Sequence, residues 1–538
     1  MMKQVFAAAV SSLALTTIGL AQSPSDPDSW SGERWQARGD AAVEAGDFAA
    51  AQAAFRHQRA LGYESAQAAV ELAGLAAREG DVETAMLWLD RAANEGFGQF
   101  EYFALQRPDI QPLMADAEFR ARFFPMLATD ASQAERWTTD IAFLDRRYRQ
   151  THMAPFRHIS ESRWDAAIAE LISRTDTASD AEMAVGIMAL MSLSGDGHTR
   201  AIAPMGQSLF GMVEVPALFT FARLHTYWFG DELRVIGADA EHQDLIGGRI
   251  VEVGNMSLVE AETAVRQVIA ADNVMNYLWQ SPRLLAVPQV LSALGVSDEI
   301  DAVRYVVETR SGQRIERNIE ARAFQDADFS SALPGYTARA ADSPPIHLAH
   351  MSETFHLEYL PRDSILFVQV NSIGNARQES FADFAERVGT ALSEHRPQAL
   401  VLDLRHNTGG DSGLNADLVN VIAGSEVDAP GRLYTVMGRQ TFSAAINLIS
   451  DMRRFTDTRL VGEPSGSSPN FVGETNIIML PNTGMFVSAS SRMHLGQQSH
   501  MRDIWWTPDL PGAPNWSDYT AGRDPALEAI RAELNGRG

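Results

Sequence analysis

Two strand-to-helix junctions carry the residue types that acyl transfer needs. Gly438-Arg-Gln-Thr-Phe-Ser-Ala-Ala445 sets Ser443 where an apolar strand gives way to a helix. A hydroxyl there lies among unpaired N–H groups at the positive end of the helix dipole, a field that favours a developing alkoxide or oxyanion. Serine is also a preferred helix N-cap, so position alone leaves both roles open. Asp403-Leu-Arg-His-Asn-Thr-Gly-Gly410 ends another apolar strand with a glycine pair. Gly409 and Gly410, without Cβ atoms, can expose backbone N–H groups to a reacting oxygen as an oxyanion hole requires; the same pair also suits a plain turn. Ser194-Gly-Asp-Gly-His-Thr199 places His198 on a turn just beyond a helix.

Composition narrows the chemistry. Lys3 is the only lysine in 538 residues, and it stands in an N-terminal stretch with the features of a secretory signal. Val5 to Leu20 is apolar, and Gly19-Leu20-Ala21 offers a small-x-small cleavage site before Gln22. The expected product, without residues 1–21, is an exported protein, periplasmic or secreted, with no lysine to act as a base and no later membrane span. The chain has no cysteine, which excludes disulfides, thiol catalysis and cysteine metal sites. A net charge of -25 disfavours nucleic acid and anionic lipid as partners. His-Glu-x-x-His and the phosphate-binding Gly-x-x-x-x-Gly-Lys are both missing, so neither metal nor other cofactor is expected. Gly-x-Ser-x-Gly is missing around Ser443, against an ordinary α/β-hydrolase.

The elements that must position these residues follow from periodicity. Residues 30–130 are helical and repetitive: Gly46-Asp47 and Gly80-Asp81 recur at an offset of 34, as do Gly62-Tyr63 and Gly96-Phe97. This resembles tetratricopeptide (TPR) helix pairs, with Ala49, Ala53 and Ala54 on one packing face and Ala85, Trp88 and Leu89 on another. Such a block is either a groove for a protein partner or a helical cap. Residues 131–204 form a helical segment carrying His198. Residues 205–325 read as a β-rich module: Leu233 to Ile236, then Leu245 to Asn255, give strand, glycine turn, strand and turn, followed by a helix from Leu258 to Ile269. That order is similar to a PDZ peptide-binding module. After a connection from Ala323 to Glu353, residues 350–535 alternate. Strands Ile365–Val370, Ala399–Leu404 and Leu433–Met437 are interleaved with helices from Phe381, Leu414 and Ser443, the α/β layer signature.

Taken together, the motifs resemble the tail-specific, or C-terminal processing, serine proteases. That family shares Asp-x-Arg-x-Asn-x-Gly-Gly, here Asp403, Arg405, Asn407, Gly409 and Gly410, and a Ser-Ala step opening a helix, here Ser443-Ala444. The family's Val-Gly-x-x-Thr-x-Gly turn has its counterpart in Val461-Gly-Glu-Pro-Ser-Gly466, with serine replacing threonine and the glycine one place early, and its closing Pro-Asp step in Pro508-Asp509. The resemblance implies a multidomain fold with a ββα, crotonase-like catalytic core, a peptide or protein substrate, Ser443 as nucleophile and the N–H groups of Gly409 or Gly410 and of Ala444 as oxyanion hole. Better-known members use a lysine after the Val-Gly turn, where this chain has Ser467 and Ser468. The histidine branch, which includes the tricorn protease, instead takes its base from a segment ahead of the PDZ-like module. Gly195-Asp-Gly-His-Thr199 matches that segment, making His198 the expected base, with His406 and His494 as substitutes. The branch implies an orienting acid late in the chain: Asp503, Glu474 or Glu463. Its serine before the histidine is Gly197 here. Two other functions share these features: a catalytically silent peptide-binding protein, and a hydrolase of non-peptide esters or amides.

Overall fold

The structure, a computed structural model, describes residues 32–61, 66–94, 107–204, 207–209, 213–215, 217–323 and 344–536. The signal-like stretch and the Gly62-Tyr63 and Gly96-Phe97 pairs lie outside them. The chain forms two compact units. One comprises Met1–Ala178, Ala201–Pro216 and Glu474–Arg492; the other comprises Ser179–Arg200, Ala217–Gly473 and Met493–Gly538.

The first unit opens with two helical hairpins, α1 (Gly32–Glu44) with α2 (Phe48–Ala60) and α3 (Ala66–Arg78) with α4 (Val82–Asn94). The recurring Gly-Asp step has a local cause: the Asp47 carboxylate accepts Ala50 N–H at 3.1 Å and Asp81 accepts Thr84 N–H at 3.1 Å, capping the second helix of each hairpin. The buried face of α2 is Ala51, Ala54, Phe55 and Gln58, whereas Ala49 and Ala53 are exposed. Phe55 sets that face, with neighbours one helical turn apart. Ala73 and Leu89 share a core with Phe119 and Phe123 of α5 (Ala117–Phe123). A capping box from Ser132 and Glu135 starts α6 (Gln133–Thr151), whose Tyr148 ring stacks on Trp164 of α7 (Glu161–Ser173) at 4.4 Å. Within this unit Ala201–Ile202 pairs antiparallel with Phe486 and Val487. The helical segment expected over 131–204 is thus divided, and α8 (Asp180–Ser192) with the His198 turn belongs to the second unit.

In the second unit seven strands form one sheet: β1 (Phe221–Ala222), β2 (Leu224–Phe229), β3 (Glu232–Ala238), β4 (Arg249–Val253), β5 (Met256–Ser257), β6 (Ala302–Glu308) and β7 (Arg314–Arg322). Their order is β1-β7-β6-β4-β3-β2, with β5 paired to β4. Val235, Ile250 and Val307 bury against α9 (Leu258–Arg266), α10 (Val274–Leu284) and α11 (Pro288–Ala293) through Val265, Tyr277 and Leu291. Leu245 closes a short helical turn, Gln243–Leu245, ahead of the two glycines, and β4 starts at Arg249.

A short helix, α12 (Ile346–Ala349), precedes the alternating region. That region forms a six-stranded sheet: β8 (Phe355–Leu360), β9 (Ile365–Val370), β10 (Ala399–Asp403), β11 (Leu433–Met437), β12 (Arg459–Gly462) and β13 (Leu510–Pro511), in that order. β8 is antiparallel to β9, and the other neighbours are parallel. Every residue of β9, β10 and β11 is buried, which explains their largely apolar composition: both sheet faces are covered. Leu366, Leu402 and Leu433 pack under α13 (Phe381–His395), α14 (Asn415–Ala423) and α15 (Ala444–Phe455). Phe367, Val401 and Val436 face Leu527 and Ile530 of α17 (Pro525–Asn535), which follows α16 (Trp516–Ala521). The loops leaving β10 and β11 carry the glycine pair and Ser443, at the carboxyl ends of parallel strands where open α/β sheets place their ligands.

Candidate active site

Ser443 precedes the first residue of α15 with φ 56° and ψ -126°, and its side chain makes no capping hydrogen bond. A helix-capping serine takes extended backbone angles and bonds an N–H of the first turn. Ser443 does neither. A non-glycine residue held in this region costs about 1–3 kcal/mol, a strain typical of functional turns. The Ala444 N–H at the mouth of α15 donates to no intrahelical partner, as at every helix start. Gly409 lies against the serine: a Cβ on it would come within 2.6 Å of Ser443 Cβ, 3.1 Å of Ser443 Oγ and 3.2 Å of Ala444 N. Gly409 and Gly410 have φ 116° and 143°, open to glycine and costly for other residues. The two expected oxyanion donors are not equivalent. Gly409 N–H donates to Asn407 Oδ1 at 2.8 Å, whereas Gly410 N–H makes no hydrogen bond among the described residues. Gly410 and Ala444 therefore present the available N–H groups.

The serine loop and the glycine loop are laced together. Thr441 Oγ1 donates to Leu404 carbonyl at 2.9 Å and accepts Gly438 N–H at 2.9 Å. Phe442 N–H donates to Asn407 carbonyl at 3.1 Å, and the buried Asn407 amide donates to Val370 carbonyl at 2.9 Å. Arg405 fixes the base of the glycine loop. Its guanidinium grips Asp524, the N-cap of α17, through two 2.9 Å hydrogen bonds and donates from Nε to Asp403 at 2.9 Å. Burial opposes ionisation of Asp524, and Arg405 outweighs it, holding that carboxyl far below the usual range.

His198 reaches the same loop from a distant part of the sequence. Its ring, 6% exposed, stacks on Phe442, the neighbour of Ser443, with centroids 4.2 Å apart, and on Phe471 at 5.2 Å. Asp196 shapes the turn: its Oδ1 accepts His198 N–H at 2.8 Å and its Oδ2 accepts Thr199 Oγ1 at 2.6 Å. Asp196 Oδ1 also stands 3.8 Å from His198 Nδ1. Asp272, just ahead of α10, accepts Gly197 N–H at 2.7 Å with one oxygen and the Ser467 hydroxyl with the other. Burial, and then the charge of Asp196, push the Asp272 carboxyl well above its ordinary value. Ser467 ties the segment after β12 to the histidine turn. A Cβ on Gly197 would meet Asn276 Oδ1 at 2.9 Å and the Phe442 ring at 3.1 Å, so a larger residue has no ready space there.

The remaining candidates separate clearly. His494 stacks on Phe471 at 4.7 Å, with Nδ1 3.2 Å from Asn447 Nδ2. His406 pairs with His347, Nε2 to Nδ1 at 2.9 Å; burial and then Arg405 lower its pKa to about 3, a poor base near neutrality. Glu463 is committed to Arg439, at 2.5 Å, and is not available to orient His198. Asp503 is exposed and makes no hydrogen bond or ion pair among the described residues, so as placed it does not hold the imidazole. Glu474 belongs to the first unit, three residues after Phe471 in the same strand, exposed and at φ 55°. Sequence reasoning missed Asp196, Asp272 and Phe442. Asp196 was legible as part of the histidine turn, whereas nothing local marks Asp272. A cavity of about 80 Å³ lies nearby, lined by Tyr227, Phe229, His347, Gln440 and Tyr519; neither Ser443 nor His198 lines it.

No protein-family model and no curated protein matches the sequence. Solved structures do. Mature CPAF complexed with lactacystin aligns at TM-score 0.50 and 10% identity over 75% of this chain and 97% of that one. Mature CPAF alone aligns at 0.50 and 10% over 75% and 98%. Looser likenesses include the photosystem II D1 C-terminal processing protease, at 0.35 and 14% over 75% and 97%. At such identities the likeness is one of architecture: over three quarters of its length, this multidomain chain of mixed helix and sheet has the fold of CPAF.

Proposed function

We propose that this chain is a serine-type peptidase of the tail-specific kind, with Ser443 as nucleophile and His198 as general base. The observation that carries the reading is the state of Ser443: backbone-strained, relieved of any capping duty, and beside both free N–H groups and the residue on which His198 stacks. In the proposed reaction His198 takes the Ser443 proton as Oγ attacks the peptide carbonyl carbon. The carbonyl oxygen, now an oxyanion, receives hydrogen bonds from Gly410 and Ala444 N–H. His198 then protonates the leaving amine as the C–N bond breaks, and water, deprotonated by the same ring, releases the acyl group. Asp196, with its carboxylate 3.8 Å from Nδ1, stabilises the imidazolium.

The finer assignments belong to the same proposal. Residues 30–130 are TPR-like repeats that take a protein partner, 205–325 a PDZ-like module that tethers peptide, and 350–535 a crotonase-like catalytic domain. The protein is exported, to the periplasm or beyond. Among the described residues no helix is long and apolar enough to cross a membrane.

Labelling with a fluorophosphonate tests the nucleophile. The chain is expected to label, Ser443→Ala not at all, and His198→Ala at least a hundredfold more slowly. Wild-type labelling of Ser443→Ala refutes the assignment. Folded protein that never labels leaves the peptide-binding reading, and turnover of esters without turnover of peptides leaves the non-peptide hydrolase.

A further inference from the structure

The turn that leads from α12 into β8, on the edge of the six-stranded sheet, gathers four side chains of metal-binding type. His350 and Glu353 stand on the turn; His356 and Glu358, two apart on β8, project to one face of the strand. The backbone beneath them is fixed by Asn371, the residue after β9. The Asn371 amide donates to the carbonyls of His350 and Glu353 at 2.9 and 2.8 Å, and Asn371 N–H donates to Thr354 carbonyl at 2.9 Å.

One carboxylate serves both imidazoles. Glu353 Oε1 lies 2.7 Å from His350 Nδ1, and Oε2 lies 3.1 Å from His356 Nδ1. The rings stack with centroids 3.4 Å apart and planes 11° apart. A carboxylate on Nδ1 is the usual partner of a metal-binding histidine, because it fixes the tautomer that leaves Nε2 as the donor. On the other side of His356, Nε2 is 3.3 Å from Glu358 Oε2. Two ligands about 2.0–2.1 Å from a tetrahedral ion stand about 3.3–3.4 Å apart, so this pair already has the spacing of one edge of such a site. One ligand atom each from His350, His356 and Glu358 fall within 4.8 Å of one another. The imidazoles are 25% and 16% exposed and Glu358 is 47% exposed, leaving the cluster open to an ion from solvent.

We propose that His350 and His356, through Nε2, and Glu358, through its carboxylate, bind one divalent cation of the zinc class, with Glu353 orienting both rings and water completing the shell. Two imidazoles and one carboxylate suit Zn²⁺ and its neighbours, and disfavour Mg²⁺ and Ca²⁺, which take oxygen ligands. The sequence motifs that signal zinc sites missed it because they expect both histidines on one helix; here a turn and a strand supply them. The ion ties the turn to an edge strand and, as a ligand of the folded state only, raises the unfolding temperature.

The test is Zn²⁺ titration of the untagged, chelator-treated full chain by calorimetry, with Mg²⁺ as competitor. Expected is one Zn²⁺ per chain in the wild type and equally in Ser443→Ala, which separates this site from the peptidase proposal. His356→Ala and Glu358→Gln are expected to weaken binding at least tenfold, and Glu353→Gln by about 10–100-fold. Mg²⁺ at the same concentration is expected not to compete. Glu358 is exposed, so Glu358→Gln keeps the test valid if His356→Ala fails to fold. Absence of stoichiometric Zn²⁺ binding, or unchanged affinity in Glu358→Gln, overturns the proposal.

Discussion

At the scale of single residues, the catalytic proposal turns on how little freedom surrounds Ser443. Its φ of 56° keeps the hydroxyl from turning back as a cap, and Gly409 packs so closely that only a hydrogen fits on its outer side. Gly409→Ala is therefore expected to lower kcat at least a hundredfold while the chain stays folded. The added methyl meets Ser443 Cβ at 2.6 Å and occupies a backbone angle of 116° that alanine resists. Steady-state kinetics with circular dichroism on the same sample checks both halves. An unchanged kcat in folded Gly409→Ala would contradict the placement of the nucleophile. For Ser443 the helix mouth alone left cap and nucleophile open, because both occupy the same place in a sequence and differ in backbone angles; it was the resemblance of the surrounding motifs that implied the nucleophile.

At the scale of elements, the glycine loop depends on an ion triad whose two carboxylates come from opposite ends of the catalytic region. Asp403 ends β10, Asp524 caps α17, and Arg405 joins them with side-chain exposures of 0%, 5% and 13% respectively. Removing Arg405 leaves two buried carboxylates facing each other, a situation that costs about 3–5 kcal/mol. Arg405→Ala is expected to lose stability on that order in urea unfolding. Arg405→Lys is expected to recover only a minor part, since an ammonium cannot serve Asp524 through two parallel bonds and Asp403 at once. The Asp-x-Arg motif was visible in the sequence, and its first two members prove to be scaffold for the loop. Their partner Asp524 had no signal beyond being a plausible N-cap before Pro525.

At the scale of the whole molecule, pH acts on stability through buried acids. Asp140 of α6 is the clearest case. Its carboxylate takes hydrogen bonds from Asn482 Nδ2 at 2.6 Å and from Thr483 N–H and Oγ1 at 2.8 Å, holding the Glu474–Arg492 segment within the first unit. Burial outweighs those bonds and raises its pKa from 3.8 to about 6. The folded chain thus binds a proton more tightly than the unfolded one. The contribution is full below about pH 4 and falls as pH rises toward 6, by roughly 2–3 kcal/mol. Asp140→Asn is expected to remove that slope between pH 4 and 6 in thermal unfolding series. Persistence of the same slope in the variant would assign it to other groups.

Much of this protein was decided by the sequence alone. Largely apolar runs over Ile365–Val370, Ala399–Leu404 and Leu433–Met437 marked three strands, the second of them as buried, and the lack of lysine beyond Lys3 removes an amine base. Both follow from local periodicity and composition, which the chain states residue by residue. Tertiary structure alone decided that the ring of His198 lies on the neighbour of Ser443 and that Ser467 bonds Asp272 behind the histidine turn. It also decided that Gly410, not Gly409, offers its N–H. These are contacts between separately formed elements. They depend on which surfaces pack and at what angle, and no short stretch of sequence encodes the identity of a partner hundreds of residues away.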